Sequence, residues 1–318
     1  MSLLTKDSRP GLAAPGTAPA APRAGQRAPW LMVSPSLVVI GVVTLVPIVL
    51  LAFVSFTDYD QRSLFTGVFG WTGVDQYTQL FQDSAFWSAT ARTFLFTAAL
   101  VVGSVLIGAF FAYLLTRLGT AVRTVFTVSL VLAWAMPTVA SSVVWNWLFQ
   151  PGYGVANWIL TKLHVFGDLT NTDWANDKWL AFLVIWLLIV WQAVPFIALT
   201  LYAALTQIPG ELTEAARIDG AGEWRTWWSI TMPILKPTFL LVTILSVIWD
   251  FNVFNQIWLV SGGGPGDSTS TLGVYAYKTA FVGFHVGQGA AIALVTTALL
   301  AAVSWLYVRQ LVRSGESL

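Results

Sequence analysis

Residues 214–233, EAARIDGAGEWRTWWSITMP, concentrate charge in a chain that has little of it. Within them lie Glu214, Arg217, Asp219, Glu223 and Arg225, whereas only 10% of the 318 residues are charged and 56% are hydrophobic. Carboxylates and guanidinium groups form strong charge-assisted hydrogen bonds with a partner. Because such groups are unfavourable inside a bilayer, the stretch predicts a recognition surface between apolar segments, and the function should depend on it.

Residues suited to covalent chemistry are scarce. The chain has no cysteine, which excludes a disulfide, a thiolate metal site and a cysteine nucleophile. His164 and His285 stand alone without ligand-spaced companions. The glycine-rich residues 262–266 are not followed by the Gly-Lys-Ser/Thr of a phosphate-binding loop. We therefore expect no catalytic residue, no metal and no cofactor on this chain.

Apolar runs of membrane-spanning length dominate the remainder of the sequence. A bilayer requires about 20 apolar residues per helix, whereas barrel strands alternate over about 10. The runs are residues 30–56, 93–115, 125–149, 179–205, 239–260 and 290–308. We predict an all-α membrane protein with six transmembrane helices, in which Pro35, Pro47, Pro137 and Pro195 interrupt or kink the spans.

The distribution of Lys and Arg predicts the orientation. Eleven lie in residues 1–29, the loops 116–124 and 207–236, and the C-terminus, against five on the other side. The positive-inside rule places both termini in the cytoplasm. Residues 1–29 are predicted to be a disordered basic tail rather than a signal peptide, residues 30–310 a membrane domain, and residues 311–318 a short tail.

The charged stretch is expected to form a helical hairpin. Pro209-Gly210 suits a helix start, and Gly220 and Gly222 suit a reversal. The first helix has a face formed by Leu212, Ala215, Ala216 and Asp219, and the second has a face formed by Trp224, Trp227 and Trp228. This hairpin could dock into another protein, or it could lie on the lipid surface through its tryptophans.

The spacing within the hairpin resembles the EAA loop of permease subunits of binding-protein-dependent ABC importers. Glu214-Ala215-Ala216, Gly220, Ile230 and Met232-Pro233 fit the pattern, with Met232 replacing the usual Leu. The resemblance implies a type I importer fold and a loop, 207–236, that docks into a cytoplasmic ATPase. The residues that it assigns to this coupling are Glu214, Ala215, Ala216, Arg217, Asp219, Gly220 and Pro233.

Residues 254–281, FNQIWLVSGGGPGDSTSTLGVYAYKTAF, resemble the sugar branch of that family, as do residues 73–87 and 134–157. The resemblance implies import of a sugar or oligosaccharide across the cytoplasmic membrane of a prokaryote. It also implies three kinds of partner: a second homologous permease, two ATP-binding cassette subunits that hold ATP and Mg, and an extracytoplasmic sugar-binding protein. The 56% hydrophobic composition predicts contact with membrane lipid, and the net charge of +1 predicts none with nucleic acid.

A sugar site is predicted around Asp250, an ionisable residue about midway along the apolar run 239–260. Trp249, Asn252 and Asn255 surround it, so an indole face and polar groups for hydroxyls occur together. Compared with the maltose-transporter permease, Asp250, Asn252, Gln192 and Phe196 match sugar-contacting positions, whereas Ile189 is apolar at another. The alternative is that these polar groups join helices or contact the sister subunit.

The sequence leaves open a different cargo and a different class of transporter. Glycerol phosphate or another polar solute could replace sugar as the cargo. A secondary transporter would need ion-coupling carboxylates within its spans, and Asp250 is the sole acidic residue in them. The transport of such a protein would survive ATP depletion but not the loss of an ion gradient.

Overall fold

The computed structural model describes residues 28–164 and 166–313. Residues 1–27 and 314–318, which include most of the two predicted tails, lie outside the described residues. The chain divides into two compact units, residues 1–49 and 50–318, and the first is described only for its helical residues 28–49. The site residues all belong to the second unit.

The described residues are almost entirely helical, which confirms the predicted all-α class. Two π-helical segments, Trp227–Thr231 and Lys278–Val282, and one 3-10 turn, Trp174–Asn176, accompany the α-helices. The α-helices are α1 (Ala28–Val54), α2 (Gln61–Thr66), α3 (Asp75–Gln82), α4 (Ser84–Arg117), α5 (Thr120–Ala135), α6 (Thr138–Leu148), α7 (Val155–Lys162), α8 (Lys178–Thr206), α9 (Gly210–Ile218), α10 (Glu223–Thr226), α11 (Met232–Phe251), α12 (Asn255–Ser261), α13 (Leu272–Tyr277) and α14 (Val286–Arg313).

Five helical stretches within the described residues are long and apolar enough to cross a membrane. They are contained in α1, α4, α8, α14 and the continuous stretch Glu223–Phe251, which joins α10 to α11. A sixth span results if α5 and α6 count as one, although they are bent by 99°. The predicted span 125–149 is therefore not one straight helix, because Met136 and Pro137 separate its halves.

The other three prolines named in the sequence lie inside continuous helices. Pro35 and Pro47 are within α1, and Pro195 is within α8. Helices in membranes tolerate proline where neighbouring groups satisfy the freed carbonyl. Of the four, Pro137 is the one at which the chain leaves the helix.

The packing of α4 against α8 brings two backbones close together. A Cβ added to Gly103 would lie 2.3 Å from the Trp186 ring, and one added to Gly108 would lie 2.6 Å from Ile197. The Trp186 indole N–H also donates to the Ala99 carbonyl at 3.0 Å. Small residues permit such close approach between membrane helices, so α4 and α8 are held as a pair.

The start of α4 is fixed by Asp83. Its Oδ1 accepts from the Ala85 N–H at 2.8 Å, which caps the helix. Its other oxygen accepts from the Tyr275 hydroxyl at 2.5 Å, linking α4 to α13. Burial and this hydrogen bond raise the pKa of Tyr275, so the hydroxyl stays a donor.

Candidate functional site

The hairpin turn has the geometry that its glycine predicts. Gly220 has a φ of +79°. Its N–H donates to the Arg217 carbonyl at 3.1 Å, and the Ala221 N–H donates to the Ala216 carbonyl at 2.9 Å. This pair of bonds is a Schellman motif, which satisfies the last carbonyls of α9 and needs a left-handed residue where Gly220 lies. Gly222 instead has a φ of −69° and caps α10, so only one of the two glycines supplies the reversal.

Most of the residues predicted to couple to an ATPase are accessible. Ala216 is the exception, because it is buried, and it is also the one buried member of the predicted face of α9. A surface of this kind is open to a partner. The exposed residues are Glu214, Ala215, Arg217, Asp219, Gly220 and Pro233.

The three hairpin tryptophans do not share one environment. Trp224 and Trp228 are exposed, with ring centroids 5.7 Å apart in an edge-to-face arrangement. Trp227 is half-buried and meets the Tyr113 ring of α4, centroid to centroid, at 5.8 Å. The predicted shared face of the three tryptophans therefore differs in exposure along its length, because the π-helical segment begins at Trp227 and the Tyr113 ring of α4 lies against the Trp227 ring.

The predicted fifth span ends earlier than expected. α11 stops at Phe251 rather than continuing to residue 260, and α12 begins at Asn255. Asn252 ends the helix: its N–H donates to the Trp249 carbonyl at 3.2 Å and its side-chain amide to the Ile248 carbonyl at 2.9 Å. Asp250 is thus the penultimate residue of α11, not a residue midway along a span.

The residues at the end of α11 differ in their exposure to solvent. Trp249 and Asn252 are exposed, whereas Asp250 is only 6% exposed. The Oδ2 atom of Asp250 has no hydrogen-bond partner among the described residues. The structure therefore separates Asp250 from the accessible part of the predicted sugar site.

Three aromatic rings from three helices contact one another in a row near the end of α11. Phe196 of α8 lies 5.2 Å from Trp249 of α11, edge to face, and 6.2 Å from Trp134 of α5, with 27° between the planes. Trp134 and Trp249 are both exposed. We call Trp134, Phe196 and Trp249 the aromatic platform. Trp134 was missed in the sequence, although its position just before the Met136-Pro137 break was a usable signal.

A polar cluster lies on α8, one of the three platform helices, and on two further helices. The Gln192 amide donates to the Ser141 hydroxyl at 3.1 Å, and its oxygen accepts from the Gln256 amide at 3.3 Å. Gln192 thus joins α8 to α6 and α12, and Ser141 was not predicted. Asn255, the first residue of α12, is exposed. Ile189 lies in the main hydrophobic core and is buried, which explains why this position is apolar.

One family model and several known permease proteins match most of this chain. A family model described as binding-protein-dependent transport system inner membrane component matches residues 104–313. A diacetylchitobiose uptake system permease protein of Streptomyces coelicolor is 42% identical over 93% of this chain and 90% of its own length. A sulfoquinovosyl glycerol transport system permease protein of Agrobacterium fabrum is 33% identical, covering 88% of each chain. A trehalose/maltose transport system permease protein of Thermococcus litoralis is 31% identical over 88% of this chain and 92% of its own.

A solved structure supports the fold. A chain of a bacterial ABC transporter involved in alginate import superposes with a TM-score of 0.75 at 17% identity. The match covers 89% of this chain and 94% of that one. At this identity the likeness establishes the type I permease fold alone.

Proposed function

Because the chain belongs to the family of binding-protein-dependent transport system inner membrane components, we propose that it carries a sugar or oligosaccharide through a membrane as one subunit of an ATP-driven importer. It is a multi-pass transport subunit and not an enzyme. The observation that carries the proposal is the hairpin, in which Glu214 is exposed and Gly220 forms the left-handed turn. The 42% identity to a diacetylchitobiose uptake permease supports a sugar as the cargo.

The hairpin is the proposed contact with the ATPase. Its exposed carboxylate, Glu214, is suited to a charge-assisted hydrogen bond with a basic group of a partner. Nucleotide-driven closure of the ATPases would displace the hairpin and shift the population between the outward-facing and inward-facing conformations. We propose that the hairpin and both termini lie in the cytoplasm, which the distribution of Lys and Arg supports.

The proposed partners are a second homologous permease, two ATP-binding cassette subunits with their ATP and Mg, and an extracytoplasmic binding protein. A solved alginate transporter of the same fold is in complex with a pentasaccharide-bound periplasmic protein, which favours this arrangement. The proposed location is the cytoplasmic membrane of a prokaryote.

The aromatic platform is the proposed sugar-contacting surface. Exposed indole rings suit the C–H face of a sugar, and the exposed Asn252 and Asn255 supply partners for hydroxyls. Gln192 lies four residues before Phe196 on α8, and its side-chain oxygen accepts from the Gln256 amide. Because Asp250 is buried, we propose that it makes no direct contact with the sugar.

The test is reconstitution of the whole complex in lipid vesicles. ATP hydrolysis and uptake are measured with the binding protein loaded in turn with diacetylchitobiose, maltose, trehalose and glycerol phosphate. We expect one of the sugars to stimulate both. Stimulation by glycerol phosphate alone would overturn the sugar assignment. Uptake that persists without ATP but stops when ion gradients are collapsed would overturn the importer assignment.

A further inference from the structure

Glu223 is a hairpin charge that lies outside the positions fixed by the family pattern. Glu223 begins α10, and its Oε2 atom lies 3.2 Å from Nη2 of Arg117, the last residue of α4. The same Arg117 nitrogen donates to the Tyr113 hydroxyl at 2.6 Å. The Arg117 guanidinium carbon also lies 5.0 Å from the centroid of the Tyr113 ring. Tyr113 in turn contacts Trp227, as described above.

These four residues form two matched pairs. Tyr113 and Arg117 are four residues apart on α4, and Glu223 and Trp227 are four residues apart on the hairpin. Residues at this spacing share one face of a helix. The end of α4 and the second hairpin helix thus present facing pairs, each with one charged and one aromatic member. We call Tyr113, Arg117, Glu223 and Trp227 the latch.

The latch crosses a gap that packing does not fill. A cavity of about 670 Å³ lies beside it, between the ends of α4 and α8 and the hairpin. Phe110 and Leu205 line it from the spans, and Arg217 and Trp224 line it from the hairpin. The ion pair of Arg117 with Glu223 and the ring contact of Tyr113 with Trp227 therefore join the hairpin to α4 beside this open space.

We propose that the latch is a positioning device that makes α4 follow the hairpin during transport. The hairpin already continues into α11, which carries Trp249 of the aromatic platform. The latch adds a direct link to the end of α4, which also shares a buried cluster with α11 through Ala112 and Val242. In addition, α4 is held to α8, which carries Phe196. A displacement of the hairpin thus reaches two helices of the platform together. This inference rests on the proposed function, because it concerns how ATPase motion reaches the cargo.

The latch is suited to transmission rather than to stability. The side chains of Arg117 and Glu223 are 51% and 67% exposed, and ion pairs at such sites add little to folding. Breaking the pair should leave the chain inserted and assembled. The effect should appear in coupling, which is the number of ATP molecules hydrolysed for each sugar transported.

The test is a charge exchange in the reconstituted complex. Arg117→Glu and Glu223→Arg are made singly and together, and ATP hydrolysis and sugar uptake are measured in the same vesicles. Each single variant should raise the ratio of hydrolysis to uptake by about 5-fold or more, and the double variant should return it to within about 2-fold of wild type. Arg309→Glu, a charge change on an exposed residue near the end of α14, outside both the hairpin and the latch, should leave the ratio unchanged.

A purely structural role would lower hydrolysis, uptake and complex yield together, and that result would overturn the proposal. So would single variants whose ratio equals that of the wild type. If the proposed function itself were wrong, the wild-type complex would show no ATP-dependent uptake, which is a separate outcome.

Cross-linking provides a second measurement. Because the chain has no cysteine, Arg117→Cys with Glu223→Cys introduces a defined pair that a short bifunctional thiol reagent can join. If α4 follows the hairpin throughout the cycle, joining the two should restore coupling relative to the unlinked pair. A block of uptake by the cross-link would show that the gap opens in each cycle and would overturn the proposal.

Discussion

The residues of the hairpin are close together in the sequence, whereas those of the aromatic platform are far apart. In the hairpin, Glu214 and Gly220 belong to one short segment, and local spacing is enough to place the carboxylate on an exposed surface. At the platform, Trp134, Phe196 and Trp249 come from three helices that are far apart in sequence. Two acidic residues illustrate the contrast: Glu214 is exposed, whereas Asp250 is 6% exposed. A local motif therefore identifies a docking surface more reliably than an isolated polar residue identifies a cargo site.

The largest expected effect tests the hairpin side of this comparison. Glu214→Ala removes the proposed charge-assisted hydrogen bond to the ATPase, worth about 1.5–3 kcal/mol, or about 10- to 100-fold in binding. We expect uptake to be lost while the chain still inserts. Co-purification of the ATPase measures the binding, and sugar accumulation in vesicles measures the uptake.

The matched control for that experiment is Glu211→Ala, an exposed acid on the same helix outside the family pattern. It should retain uptake. Equal loss in both variants, or full uptake by the Glu214 variant, would refute a specific docking role and favour a hairpin that lies on lipid.

A second prediction concerns the turn that positions Glu214. Gly220→Ala places a side chain at a φ of +79°, which disfavours the left-handed conformation by about 1–2 kcal/mol. ATPase binding should weaken by up to about 10-fold. Gly222→Ala is the control, because its φ is −69° and nothing lies within 4 Å of an added Cβ. Equal binding by the two variants would show that the turn geometry does not matter.

The third prediction tests the platform. Trp134→Ala removes an outer ring, and aromatic contacts of this kind contribute about 0.5–1.5 kcal/mol. The sugar concentration at half-maximal uptake should rise by about 2- to 10-fold. The control is Trp147→Ala, since Trp147 is 51% exposed and Trp134 is 55% exposed, but Trp147 lies outside the platform. A similar shift in both would remove the platform from the sugar path.

The smallest effect is expected at Asp250. Asp250→Asn keeps the shape of a buried side chain, so the sugar dependence of uptake should change by less than about 2-fold. Uptake measured across the same sugars checks this. A change in which sugar is preferred, with assembly intact, would return Asp250 to the sugar site and weaken the contrast drawn above.

Several features followed from the sequence because their causes are local or compositional. Apolar runs long enough to span lipid predict helices, since backbone groups need internal partners there. Pro137 predicts the break between α5 and α6, and Gly220 predicts the left-handed turn. The spacing of Glu214, Gly220 and Pro233 identified the family, which the comparisons confirm.

Other features were decided only by the tertiary structure. Which face of α11 is buried depends on the helices beside it, so Asp250 and Trp249 differ in exposure although they are adjacent. The pairing of Arg117 with Glu223 joins residues 106 positions apart, and no spacing rule predicts it. Sequence period determines which residues share a helix face, but the neighbour that each face meets is set by packing between distant segments.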